Sequence, residues 1–122
     1  MTSTGPNAVA VIDDDENVRD VLEAYLEYAG HTVKTFRSGS EFLALVTPGR
    51  FDCLILDQMM PEMTGLQVVH ELDCRGMAIP TVLITGSRAS ISLKTMHRSP
   101  VIGVLQKPMA CQELLQYVSI VG

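Results

Sequence analysis

Short apolar runs alternate along the chain with stretches of three- and four-residue hydrophobic spacing. Residues 8–12, Ala-Val-Ala-Val-Ile, predict a buried strand. A helix is predicted over 16–29, with Val18, Val21, Leu22, Tyr25, Leu26 and Ala29 on one face and Gly30 as its stop. Residues 31–36 read as a second strand, carrying β-branched Val33 and Thr35. Ser40 suits the N-cap of a short helix through Val46, ended by Thr47-Pro48-Gly49. Residues 52–56 form a third strand, and 57–64, with Pro61, a loop. A helix over 65–74 turns Leu66, Val69 and Leu72 inward and closes at Gly76. A strand over 79–84, a weak helix over 89–97, a strand over 101–105 and an amphipathic helix over 110–121 complete the pattern.

Strand and helix thus alternate five times without repeats or a linker. Parallel neighbours need a crossover, usually a helix, so this order predicts a doubly wound, mostly parallel α/β sheet with helices on both faces. The near-continuous apolar strands agree, because both faces of such a sheet are covered. Residues 1–7 are polar with Gly and Pro and read as a flexible N-terminus, leaving 8–122 as one domain.

Polar residues follow the apolar runs in a consistent way. Asp13, Asp14 and Asp15 follow the first strand, Asp57 the third, Thr85 and Gly86 the fourth, and Gln106, Lys107 and Pro108 the fifth. In a parallel sheet all these points share the carboxyl edge, where open α/β sheets bind ligands. Acids, a hydroxyl and a lysine are therefore expected in one crevice. Crowded carboxylates repel, and a hard divalent cation such as Mg²⁺ relieves that repulsion through oxygen ligands. An ionised Asp57 is then a nucleophile toward phosphorus, with Lys107, Thr85 and a nearby backbone N–H to neutralise phosphoryl oxygens.

Composition narrows the partners. Net charge is −5, from nine basic and fourteen acidic residues, which argues against a nucleic-acid face on this domain. The three cysteines, Cys53, Cys74 and Cys111, are scattered and include no CxxC, so they read as reduced packing residues rather than a disulfide frame or zinc site. His31, His70 and His97 share no metal-ligand spacing, and Tyr25, Tyr28 and Tyr117 read as helix packing residues. Met59, Met60 and Met63 read as cover for their loop, with a soft partner patch as the alternative. No signal peptide or membrane-length apolar run is present, and a cytoplasmic location is expected.

Four strings carry a resemblance: Val11-Ile12-Asp13-Asp14-Asp15-Glu16, Leu56-Asp57-Gln58-Met59-Met60-Pro61-Glu62-Met63-Thr64-Gly65, Leu83-Ile84-Thr85-Gly86 and Gln106-Lys107-Pro108. Together they resemble the receiver domain of bacterial two-component response regulators, from about residue 8 onward, with the loop after Asp57 the most specific. The resemblance implies a flavodoxin-like five-stranded sheet of order 2-1-3-4-5. It implies Asp57 as phosphoacceptor, and Asp13 and Asp14 as the acid pair that holds Mg²⁺ together with Asp57 and the Met59 carbonyl. Thr85 would be the switch hydroxyl and Lys107 the lysine of the phosphoryl site. The donor would be a phosphohistidine on a sensor histidine kinase or histidine phosphotransfer domain. An output domain, fused or separate, and a homodimer are further implied partners. Such a domain is a phosphoryl acceptor, not an enzyme with turnover, and Met59 beside the site suggests slow autodephosphorylation.

The chain departs from the family at Val104, where an aromatic residue usually takes part in the switch with Thr85. Pro100 before the fifth strand and the absence of a small Gly-Ala pair there suggest an unusual shape around that strand. These departures motivate a second reading, a phospho-independent interaction module that keeps the fold but not the switch. A flavin protein or phosphohydrolase of the same topology fits poorly. The acids after the first strand would repel a phosphate, and Met59 stands where a hydrolase wants a second acid.

Overall fold

The computed structural model describes residues 6–86, 100–107 and 111–121. Its five strands are β1 (Ala8–Ile12), β2 (Thr32–Phe36), β3 (Cys53–Asp57), β4 (Thr81–Thr85) and β5 (Val101–Gln106). They form one parallel sheet in the order β2-β1-β3-β4-β5. The helices among the described residues are α1 (Glu16–Tyr28), α2 (Gly39–Leu45), α3 (Gly65–Cys74) and α4 (Cys111–Ile120). The expected α/β architecture and strand order are those observed. The helix expected over 89–97, residues 1–5 of the N-terminus, Ala110 and Gly122 lie outside the described residues.

Two apolar clusters hold the layers together. On one face Ile12, Leu54, Leu56 and Leu83 pack with Phe42 of α2 and Val68 and Leu72 of α3. On the other, Val11, Ile55 and Ile84 pack with Leu22 and Leu26 of α1 and Leu114 and Val118 of α4. Strand residues alternate between the clusters because successive side chains point to opposite faces. β3 and β4 are buried at every position, as expected for inner strands, whereas edge strand β2 is exposed at alternate positions.

Local chemistry fixes the helix starts. Asp15 caps α1, its carboxylate accepting from the N–H groups of Asn17 and Val18. Thr64 and Gln67 form a reciprocal capping box at α3. α2 begins earlier than expected, with Ser38 rather than Ser40 as cap. Gly39 is buried in that first turn, and a Cβ there would stand 2.6 Å from Val68 Cγ2.

Several side chains depart from the sequence reading. Val21 and Ala29 are exposed, so the buried stripe of α1 is narrower than its apolar pattern, and Tyr28, read as a packing residue, is 94% exposed. Of the cysteines only Cys53 is buried; Cys74 is exposed and Cys111 intermediate. Asn7, assigned to the flexible N-terminus, is buried. Its side-chain amide donates to the carbonyls of Val118 and Val121 at 2.8 and 3.1 Å, and its N–H donates to His31 Nδ1 at 3.1 Å. The fold therefore starts one residue earlier. The unusual fifth strand is visible as a register shift, Thr81 pairing with Val101 and Val82 with Gly103. Tyr117 of α4 lies against Gly103, where a Cβ would come within 2.5 Å of the ring.

Candidate functional site

Strand order reverses between β2 and β3, on either side of β1. Ile12 pairs with Leu56, so Asp13 and Asp57 lie side by side at that switch point. Asp57 pairs with Ile84, which brings Thr85 to the same edge, and Thr85 pairs with Gln106, which brings Lys107 there. Asp57 and Thr85 are the last residues of their strands rather than the first of their loops. Asp13, Asp57, Thr85 and Lys107 thus meet at one edge, as expected from the strand ends. Their carboxylate members are close: oxygens of Asp13, Asp14 and Asp57 all lie within 4.8 Å of one another.

Asp13 is held at four points. Its N–H donates to the Phe36 carbonyl at 3.1 Å, and its Oδ1 accepts from the Asp15 N–H at 2.9 Å. Its carbonyl accepts from Arg19 Nη1 at 2.8 Å, and its Oδ2 faces Lys107 Nζ at 3.5 Å. Asp57 Oδ1 faces the same ammonium at 3.4 Å and the Met59 N–H at 3.4 Å. These separations are long for charge-assisted hydrogen bonds, which run nearer 2.8 Å, so one ammonium is shared loosely by two carboxylates. Thr85 is fully buried, and its carbonyl accepts from the Lys107 N–H at 2.8 Å.

The loop after Asp57 is clamped by Gln58. Its N–H donates to Ile84, its carbonyl accepts from Gly65, and its side-chain oxygen accepts from the Leu66 N–H at 2.9 Å. Gly65 is required here, since a Cβ would stand 2.7 Å from the Asp57 carbonyl oxygen. Met59 itself is 63% exposed, whereas Met60 is buried. Val104 is buried with Leu83 in the cluster that faces α2 and α3.

Burial, reinforced by the Asp13 charge, pushes Asp57 up to about 6; Lys107 and the Met59 N–H oppose the shift. Burial also raises Asp13, against the Asp15 N–H and Lys107. Burial by itself would lower Lys107, but the attraction of Asp13 and Asp57 outweighs it and the net shift is upward. Three clustered carboxylates thus stand against one ammonium that contacts two of them, and the surplus negative charge is confined to oxygen donors. That donor set fits a hard divalent cation, so the cluster is able to hold a metal ion.

The family model for the response regulator receiver domain matches residues 9–119. The chain belongs to this family. Response regulator MprA of Mycobacterium ulcerans is 36% identical over 108 residues, which are 88% of this chain and 46% of that protein. MprA of Mycolicibacterium vanbaalenii is 35% identical over 90% of this chain and 48% of its own length. The chain therefore spans about half the length of the curated relatives it matches. Among solved structures, response regulator StyR superposes with a TM-score of 0.85 at 34% identity, over 93% of this chain and 58% of that one. Response regulator TrrA from Thermotoga maritima, solved in complex with Mg²⁺-BeF, gives 0.79 at 27% identity, over 91% and 95% of the two chains. The chain is thus a response regulator receiver domain of two-component systems. Among the described residues no helix is long and apolar enough to cross a membrane.

Two residues of this receiver site escaped the sequence reading, Arg19 and Gln58. Arg19 carried a signal: a cation early in a helix is disfavoured by the dipole unless an acceptor holds it, and here the acceptor is the Asp13 carbonyl. Gln58 carried none, because its partner Leu66 is reached only through the folded loop.

Proposed function

We propose that Asp57 accepts a phosphoryl group from a phosphohistidine of a sensor histidine kinase or histidine phosphotransfer domain, in a Mg²⁺-dependent reaction. The observation that carries this reading is the shared contact of Lys107 Nζ with Asp57 and Asp13, 3.4 and 3.5 Å away, beside the exposed Asp14. One Asp57 oxygen forms a bond to phosphorus as the P–N bond of the donor breaks. The electron pair leaves on the imidazole nitrogen, and an aspartyl phosphate remains. The Lys107 ammonium neutralises charge on a phosphoryl oxygen, the Thr85 hydroxyl donates to another, and the Met59 N–H is in place for a third. None of these groups has to move a proton.

Asp13, Asp14, Asp57 and the Met59 carbonyl would hold the Mg²⁺, with water completing its shell. When bound, the ion screens the charge of the phosphoryl oxygens against the carboxylates. Similarity to TrrA, solved with Mg²⁺-BeF, supports that choice of ion. The acceptor serves one transfer per phosphorylation and is no turnover enzyme. Exposed, apolar Met59 offers no group to orient an attacking water, which favours slow loss of the phosphoryl group. The modified domain acts on an output domain, fused or separate, or on a second copy.

Val104 supports the second reading. It is packed at 7% exposure and has no ring to swing toward Thr85, so the switch does not run through an aromatic residue at this position. Intact mass after incubation with acetyl phosphate or phosphoramidate and Mg²⁺ separates the readings. The expected result is a single phosphoryl adduct, absent in Asp57→Ala and without Mg²⁺. No adduct from small donors or from kinases would leave the phospho-independent interaction module.

A further inference from the structure

We infer that His70 and Cys74 form a two-donor site for a borderline-soft divalent cation of the zinc class. The two residues are four apart on α3, and both are exposed. That spacing stacks side chains on one helix face. Taking histidines with histidines and cysteines with cysteines hides the pair, because each donor set looks scattered alone.

Cys74 Sγ lies 3.7 Å from His70 Nε2. A tetrahedral zinc ion with Zn–S about 2.3 Å and Zn–N about 2.0 Å separates its two donors by roughly 3.5 Å. The two donors, which now face each other within reach of a sulfur hydrogen bond, thus already stand near the separation such an ion requires. Both donors belong to one helix, so ordering costs little beyond that of the helix itself. Neighbouring Glu71 is engaged by Arg75 at 3.2 Å, which leaves a sulfur–nitrogen pair rather than an oxygen-rich one. Thiolate and imidazole select zinc-class ions over Mg²⁺, whereas the all-oxygen cluster of Asp13, Asp14 and Asp57 has the reverse preference. Binding releases the thiol proton to solvent as the Zn–S bond forms, so affinity rises with pH.

The test is a titration of the reduced full chain in excess Mg²⁺, with Zn²⁺ followed by calorimetry and Co²⁺ by absorption. One binding event with a thiolate-to-cobalt charge-transfer band is expected. Cys74→Ser should abolish the band, and His70→Ala should weaken binding roughly tenfold or more. Both variants should keep the wild-type circular dichroism spectrum and phosphoryl uptake, and Cys111→Ser should keep the band. A ratio of one cation per two chains would mean that a second copy fills the open positions; one per chain would mean water does. Binding that survives Cys74→Ser, a band that follows Cys111, or no event at all would overturn the proposal.

Discussion

At the amino end of the sheet, polar groups are paired by hydrogen bonds. Asn7 closes onto Val118 and Val121 of α4, and Asp52 Oδ2 accepts from the Ala8 N–H at 2.8 Å. At the carboxyl end, Asp13 and Asp57 share one ammonium at more than 3 Å, with the exposed Asp14 beside them. The same residue types therefore serve opposite ends. Paired groups stabilise the closed fold, and unpaired charge is stored where a ligand can discharge it. Burial at the carboxyl end makes that storage costly, which is why Asp57 is pushed up to about 6. Substitutions at the two ends should separate function from stability.

The largest effect is expected from Lys107→Met. It removes the only cation that contacts both Asp13 and Asp57 among the described residues. Loss of one preorganised charge donor lowers a transfer rate by about 100-fold or more. The rate of adduct formation by mass spectrometry at saturating Mg²⁺ should fall by that factor. A rate within about threefold of wild type would remove Lys107 from the phosphoryl site.

Asn7→Ala is the mirror case. It leaves two buried carbonyl acceptors, those of Val118 and Val121, without their donor. Unsatisfied buried acceptors destabilise by about 1–3 kcal/mol, so the urea midpoint should drop accordingly. Phosphoryl uptake per folded molecule should be unchanged. An unaltered midpoint would mean that water replaces the amide and that this end is less closed than described.

Asp57→Asn tests the stored charge itself. The folded carboxyl titrates near 6, above the ordinary 3.8. Between those values the folded state holds a proton that the unfolded chain has released, so this group makes wild-type stability fall as pH rises from 4 to 6. Above that window the ionised form carries the full penalty. The variant lacks it and should be more stable than wild type at pH 7 by roughly 1–2 kcal/mol, allowing for the contact it loses with Lys107. The gain should vanish toward pH 4. Mg²⁺ should close the gap from the other side, because a ligand that binds the folded wild type at 100 times its Kd adds about 2.7 kcal/mol. Equal stability of the two proteins at pH 7 without Mg²⁺ would show that no charge strain is stored there.

These contrasts also explain what the sequence could and could not disclose. Strands and most helices were legible because both faces of the sheet are buried, and the apolar runs record that directly. The carboxyl-edge residues were legible because strand ends mark them one after another. What was lost is non-local. Ser40 reads as the cap of α2 in the sequence, but Ser38 holds that position, its side chain accepting from the Glu41 N–H, and Gly39 in the turn it opens is buried against Val68. Asp57 and Thr85 look like loop residues, yet their strands continue through the bonds Gln58 N–H to Ile84 and Lys107 N–H to Thr85. The apolar stripe of α1 overstated its buried face, because Val21 and Ala29 are exposed. Asn7 had no local sign of its role, since its partners lie more than 100 positions away.

Arg19 offers the smallest expected effect and the finest distinction between the two ends. It sits on α1 but acts on the acid loop, donating to the Asp13 carbonyl at 2.8 Å. It touches none of the carboxylate oxygens that would hold Mg²⁺, so its influence is positional. Without it, the Asp13–Asp14 turn keeps the Asp15 N–H bond and the anchor to Phe36 but loses its tie to the helix. Arg19→Ala should weaken Mg²⁺ binding only several-fold, because positioning partners of metal ligands are worth up to about 10–100-fold where they contact the ligand head group, and this one contacts the main chain. Arg19→Lys should recover part of the loss by supplying a single donor in place of the planar fork. If Arg19 acted through its charge alone, Lys would recover all of it, and the Mg²⁺ affinity of the two variants would respond differently to added salt. A loss shared equally by Ala and Lys, and insensitive to salt, would identify the fork geometry as what holds the acid pair in place.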